Sequence, residues 1–213
     1  MKFFADAAQT AMDTKTQFSN DRNVAYYDQN TDSFIERTIK VDMQLLYTPF
    51  LKYVREAGRI LDAGCGSGRD TKAFLDLGYT VTAFDASKTM AESASRHTGQ
   101  VVEVGRFQDM QYEQVFDGLW CCASLLHVSI AEFDDVLGRC IRALRPKGVG
   151  FMCFKEGAGE VMRGNRRFTD FTEESLGSLL AGRVGMDILR IWRTDPLHGN
   201  PEPWVNALWR PAG

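Results

Sequence analysis

From Arg59 to Phe154 the chain alternates short β-type runs with helical ones, and this alternation leaves few folds open. The β-type runs are Arg59 to Ala63, Thr80 to Phe84, Val101 to Gly105, Gly118 to Cys122 and Val149 to Phe154. Helical runs stand over Asp70 to Leu77, Lys88 to His97 and Ala131 to Leu144. Strands separated by a whole helix need crossover connections, so the spacing predicts parallel pairing. Ser129-Ile130-Ala131-Glu132 reads as a capping box, and Arg145-Pro146-Lys147-Gly148 as the stop that ends its helix and turns into the next strand. Thr172 starts a further helix through Leu180. The rhythm then changes. Met186 to Arg193 and Trp204 to Trp209 are β-like and are joined by a loop holding Pro196, Gly199, Pro201 and Pro203, too short for a crossover and therefore expected to close an antiparallel pair.

Ahead of this region, from Asp32 to Val54, apolar residues recur at near-helical spacing, with Pro49 as the expected kink or break, which makes one long helix or two short ones. The first twenty or so residues are polar and weakly patterned. The chain therefore divides into an N-terminal arm and helical lid over 1–54 and a core over 55–213, within one structural domain of 213 residues. A net charge of -3 disfavours attachment to phosphate backbones, so nucleic acid is not the expected partner. The five cysteines form no CxxC pair and lie in or beside apolar segments, as reduced thiols of a cytoplasmic protein do. Asp6 and Gln9 interrupt the start before a secretory core forms, and no window approaches a membrane span. A monomer or homodimer is expected.

The stretch ILDAGCGSGRD, Ile60 to Asp70, places three glycines within five positions at the end of the first strand. Glycines there let the backbone approach a ligand while the following helix offers unpaired N–H groups, which suits a nucleotide-like molecule. The dinucleotide fingerprint is G-x-G-x-x-G, but here Gly64, Gly66 and Gly68 are spaced G-x-G-x-G and Arg69 stands where the third glycine belongs. Asp62, just before the turn, is an awkward neighbour for a pyrophosphate. S-adenosylmethionine carries a sulfonium and an ammonium and no phosphate, and an acidic glycine turn suits it.

LDAGCGSGRDTKAFLDLGYTVTAFDAS resembles the first two motifs of class I S-adenosylmethionine-dependent methyltransferases, and FDGLWCCASLLHV with LRPKGVGFMCFKEG resembles the later ones. YYDQNTDSFIERT and FKEG are similar to the small bacterial enzymes of the tellurite-resistance type. The resemblance implies a Rossmann-like three-layer α/β sandwich, with a mostly parallel seven-stranded sheet, an antiparallel last strand and an N-terminal helical lid. It also implies roles. Gly64, Cys65 and Gly66 lie against the methionine part of the cofactor, Asp62 is near its ammonium, and Cys122 offers backbone contacts. Asp85 accepts from both ribose hydroxyls. Ala86 and Met90 pack on the adenine, Asp109 accepts from its amino group, and Gln108 or Met110 borders the ring. Tyr27 and Arg37 belong to the lid, where an arginine can pair with the cofactor carboxylate.

Plainer readings stand beside these. Asp85 and Asp109 are also placed to cap turns, Met90 and Met110 to fill the core, and Arg37 to be a solvated charge. His127 is either a hydrogen-bonded structural histidine or, with Tyr27, the base for an acceptor that must lose a proton. Lys155, Arg163, Arg166 and Arg167, with Trp204, form either a substrate site for a small, anionic methyl acceptor or a solvated basic loop. The competing functions are an NAD(P)-dependent oxidoreductase and a non-catalytic S-adenosylmethionine-binding module. No metal is expected.

Overall fold

The computed structural model describes residues 22–196 and 202–212. The expected N-terminal arm, and Gly199 and Pro201 of the tail loop, lie outside the described residues. Strands are β1 (Arg59–Ala63), β2 (Thr80–Asp85), β3 (Glu103–Val104), β4 (Phe116–Cys121), β5 (Leu144–Lys155), β6 (Gly159–Arg163), β7 (Arg166–Asp170), β8 (Met186–Thr194) and β9 (Trp204–Pro211). Helices are α1 (22–29), α2 (Thr31–Thr38), α3 (Gln44–Leu51), α4 (Arg69–Asp76), α5 (Lys88–Thr98), α6 (Ile130–Ala143) and α7 (Glu173–Ala181).

Seven strands form one sheet in the order β3-β2-β1-β4-β5-β9-β8. The first five run parallel, while β9 pairs antiparallel with both β5 and β8. Alternation along the strands builds two cores. Leu61, Leu119 and Met152 face one side with residues of α6 and α7, whereas Ile60, Trp120 and Phe151 face the other with Phe74 of α4 and Phe50 of α3. A sheet covered on both faces needs near-continuous apolar strands, and every residue of β4 is buried. The three-layer Rossmann-like sandwich expected above is thus the fold.

Local differences have local causes. The break in the Asp32–Val54 segment falls at residues 39–43, where Asp42 Oδ1 accepts from Gln44 N–H at 2.9 Å, and not at Pro49, which stands inside α3 two residues before its end. Leu46, Tyr47 and Phe50 of α3 join the cluster around Trp120, so α3 belongs to the core and not to a lid. β3 shrinks from the expected Val101–Gly105 to two residues at the sheet edge, a usual way of blunting an edge strand. The stop at Arg145–Gly148 becomes an irregularity inside β5, with Lys147 at φ 70°. Ser129 caps α6 as expected, its side chain accepting from Glu132 N–H. The basic loop after β5 is in fact the antiparallel hairpin β6–β7.

Candidate functional site

Strand order reverses between β1 and β4, and a cavity of about 560 Å³ lies beyond the carboxyl ends of the strands there. Its floor is the glycine turn. Gly64 and Cys65 both donate their N–H to Phe84 O, at 2.9 and 3.0 Å, which bends the chain out of β1. Gly64 takes φ 75°, and a Cβ there would stand 2.5 Å from Ser124 Cβ. Gly68 serves packing: a Cβ would meet Ala94 Cβ and Thr98 Cγ2 of α5 at 3.0 Å each. It lets α4 and α5 approach, so Arg69 is free to be something other than glycine.

Asp85 closes the turn from the next strand, its Oδ2 accepting from Gly66 N–H at 2.8 Å and its Oδ1 from Ser87 N–H at 2.9 Å. Burial raises its carboxyl above the usual range, against the pull of those two N–H groups. The cap of α5 is Ser87 itself. Cys65, Ala86, Met90 and Gln108 line the cavity, and Gln108 Nε2 donates to Glu132 Oε1 at 2.9 Å.

Three residues named for the cofactor do not line it. Asp109 is exposed and accepts from Arg106 N–H at 3.2 Å, while Met110 is buried in the main core; both border a separate small depression. The short 3-10 turn Phe107–Asp109 decides this, presenting Phe107 and Gln108 to the cavity instead. Asp62 is sealed behind the turn with Thr71 Oγ1 donating to it at 2.6 Å, and burial together with the Asp70 carboxylate raises its pKa. The acids that do line the cavity are Asp85 and Asp70. Asp70 is a buried charge met by Arg69 through two contacts of 2.6 and 2.9 Å, by Tyr47 Oη at 2.5 Å and by Trp120 Nε1 at 2.8 Å, which pins α4 to α3 and β4. Cys122 lines the cavity beside Cys153, their sulfurs 3.9 Å apart, and the neighbouring thiol and burial push Cys122 upward as a protonated, unreactive group.

The N-terminal helices form the opposite wall. Asn23 brackets the Arg167 backbone, donating to its O at 3.1 Å and accepting from its N–H at 2.9 Å. At the other end of α1, Asp28 Oδ1 accepts from Ser87 Oγ at 2.6 Å and Thr89 N–H at 3.3 Å. Between these anchors Tyr27 Oη meets His127 Nε2 at 2.8 Å. His127 Nδ1 lies 2.9 Å from the Arg167 carbonyl, which can only accept, and 3.2 Å from Asn23 Nδ2; the shorter contact favours the proton on Nδ1, with Tyr27 donating to Nε2. Burial holds the His127 pKa down to about 4, aided by the positive charge of Arg166 and opposed by the bond to Arg167 O. Arg37 lines the cavity but is exposed, with Nε donating to Ser33 O at 2.9 Å.

Lys155, Arg163, Arg166 and Trp204 also line the cavity, while Arg167 is turned into the protein, with Nη2 on His127 O at 3.0 Å. Sequence reasoning missed Asn23, Asp28, Phe34, Phe168 and Asn206. The hairpin that carries Phe168 had a signal, because Gly164-Asn165 sits between two β-like runs and glycine at the first position of a two-residue loop is a hairpin preference. Asn206, fully buried on β9, had none.

Residues 61–152 match the family model described as "Methyltransferase domain". An uncharacterized methyltransferase of Staphylococcus carnosus (strain TM300) is 31% identical over 91 residues, covering 43% of this chain and 44% of the relative. The ubiquinone biosynthesis O-methyltransferase of Caulobacter sp. (strain K31) is 34% identical over 110 residues, 48% of this chain and 40% of that protein. The chain thus spans less than half the length of these curated relatives. Among solved structures, the Burkholderia thailandensis 1,6-didemethyltoxoflavin-N1-methyltransferase, with bound 1,6-didemethyltoxoflavin and S-adenosylhomocysteine, superposes with a TM-score of 0.74 at 23% identity over 91% of this chain and 87% of that one. A S-adenosylmethionine-dependent methyltransferase of Methanosarcina mazei follows with a TM-score of 0.66 at 19% identity, over 78% and 98%. The sheet order is thus that of a Rossmann-like fold, and residues 61–152 within it are similar to a methyltransferase domain.

Proposed function

We propose that the protein is an S-adenosylmethionine-dependent methyltransferase acting on a small-molecule acceptor. The observation that carries the reading is the Gly64–Gly68 turn, which lies within the matched residues and floors the cavity, with Asp85 bonded across it to Gly66 N–H. The residues fit that cofactor. Gly64 and Gly66 leave its methionine part room, Asp85 has lone pairs left for the ribose hydroxyls, and Ala86, Met90, Phe107 and Gln108 flank the place of the base. Bound there, the cofactor would supply an activated methyl group to an acceptor lone pair, with its sulfur as the leaving group. The protein's part is to align the acceptor and exclude water, which Tyr27, Phe34 and Phe168 do by walling the cavity. His127 is neutral at pH 7 and holds the Tyr27 O–H, leaving the phenol oxygen to accept from an acceptor O–H or N–H. An α1 anchored at Asn23 and Asp28 is the lid.

A small acceptor suits the cavity's size and walls, and the names of the matched relatives agree with this. The likeness of YYDQNTDSFIERT and FKEG to the tellurite-resistance type stands as the finer family reading. The oxidoreductase alternative loses its electrostatic objection, since Asp62 does not face the ligand, but residues 61–152 match the methyltransferase model. The test is turnover: purified protein with S-adenosylmethionine and a panel of small phenols, thiols and heteroaromatic amines should release S-adenosylhomocysteine with at least one of them. Tight cofactor binding with no product from any acceptor class would point to a binding module.

A further inference from the structure

The charges around the cavity do not balance in one place. Arg69 is paired with Asp70, Arg163 with Asp170 and Glu202, and Lys155 with Glu202. Arg37 is exposed to solvent, and Arg106, at the end of β3, is engaged within the protein. Arg166 differs from all of these. It lines the cavity half-buried, and no carboxylate of the described residues lies within ion-pair distance of it. Aromatic rings surround its guanidinium: the central carbon is 4.1 Å from the Tyr26 ring centroid, 5.0 Å from Phe168 and 5.7 Å from Tyr27. Its Nη1 reaches only Tyr27 Oη, at 3.3 Å, and its Nε is buried without a hydrogen-bond partner among the described residues.

Ring faces stabilise a cation by about 0.5–2 kcal/mol, less than a guanidinium loses when it leaves water unpaired. The rings also fix its plane, which is the geometry that binds a carboxylate through two parallel N–H bonds. Phe168, Tyr27 and Trp204 give the neighbouring walls flat apolar faces. We propose that Arg166 is the acceptor-recognition residue and that the methyl acceptor is a small, flat organic carboxylate. This rests on the cavity being that of a methyltransferase. An anion seated there supplies the counter-charge the protein withholds, and it lies next to the Tyr27–His127 pair that would orient the accepting atom.

Calorimetric titration of the full chain with benzoate and with its neutral isostere benzamide, each with and without saturating S-adenosylhomocysteine, tests the assignment. Benzoate should bind about tenfold more tightly than benzamide, as expected for a hydrogen-bonded charge pair, and high salt should weaken only benzoate. Arg166→Gln should bring the ratio to about one, and Arg166→Lys should restore part of the preference by returning the charge without the planar fork. S-adenosylhomocysteine affinity should stay unchanged in both variants, which also reports that they fold. Equal binding of the two probes, no benzoate binding at millimolar concentration, or a benzoate preference surviving in Arg166→Gln would overturn the proposal. So would a variant that loses S-adenosylhomocysteine yet keeps benzoate, because Arg166 would then serve the cofactor. If wild-type protein fails to bind S-adenosylhomocysteine, the methyltransferase reading falls by itself, while the benzoate arms without cofactor still read Arg166.

Discussion

Asp85 holds the glycine turn through Gly66 N–H and Ser87 N–H. If Asp85 binds the ribose as proposed, alanine at this position should cost about 1.5–3 kcal/mol in S-adenosylhomocysteine affinity by calorimetry; an unaltered affinity would contradict the role. Gly66→Val places a β-branched side chain at φ 55°, with its Cβ 3.3 Å from Phe34 Cε1. Binding should vanish while circular dichroism stays that of a folded α/β protein, and a variant that still binds would refute the turn geometry. His127 supplies a pH signature. Its folded pKa of about 4 lies below that of an unfolded chain, so the unfolded state takes up the proton first. Stability should fall as pH drops from the ordinary imidazole value towards 4, by on the order of a few kcal/mol. Urea melts of His127→Asn should lose that slope, and an unchanged slope would show that other groups produce it. The turn glycines and Asp85 were legible because a backbone demand or a strand-end acid leaves its mark on residue type. Asp62, Asp109 and Met110 were misdirected because sequence gives a residue's position but not the direction of its side chain at a strand end or a one-turn 3-10 helix.

At the scale of elements, packing decides what periodicity leaves open. In β5, Gly150 pairs with Trp209 of β9, and a Cβ would stand 2.2 Å from the indole ring. Trp209 is fully buried, so the ring has nowhere to move. Gly150→Ala should cost about 1–3 kcal/mol of stability, in the range of overpacked cores, by denaturant unfolding; a neutral result would mean that β9 shifts freely. The strands and crossover helices were readable because each carries its own apolar period. Hairpin β6–β7 was not read, because its alternation is interrupted by arginines, of which Arg163 pairs with Asp170 at the end of β7 and with Glu202 far along the chain. The end of the helix after Thr38 was also hidden, as Pro49 drew attention away from Asp42.

For the whole molecule, the parallel sheet with its antiparallel final pair followed from the order of elements, since crossovers and short loops permit few topologies. Where α1 sits did not follow, because its anchors join Asn23 to Arg167 and Asp28 to the start of α5, contacts of long range with no sequence period. Asp28→Ala removes one anchor and should raise amide hydrogen exchange across α1 without changing exchange in β1 or β4; equal exchange would show that Asp28 does not hold the lid. The cavity floored by the glycine turn is proposed to hold a sulfonium nucleoside. Calorimetry of the wild-type chain with S-adenosylmethionine, S-adenosylhomocysteine and NADH reads it directly. Saturable one-to-one binding of the first two and none of the third is expected, and NADH binding in their place would contradict the cofactor assignment.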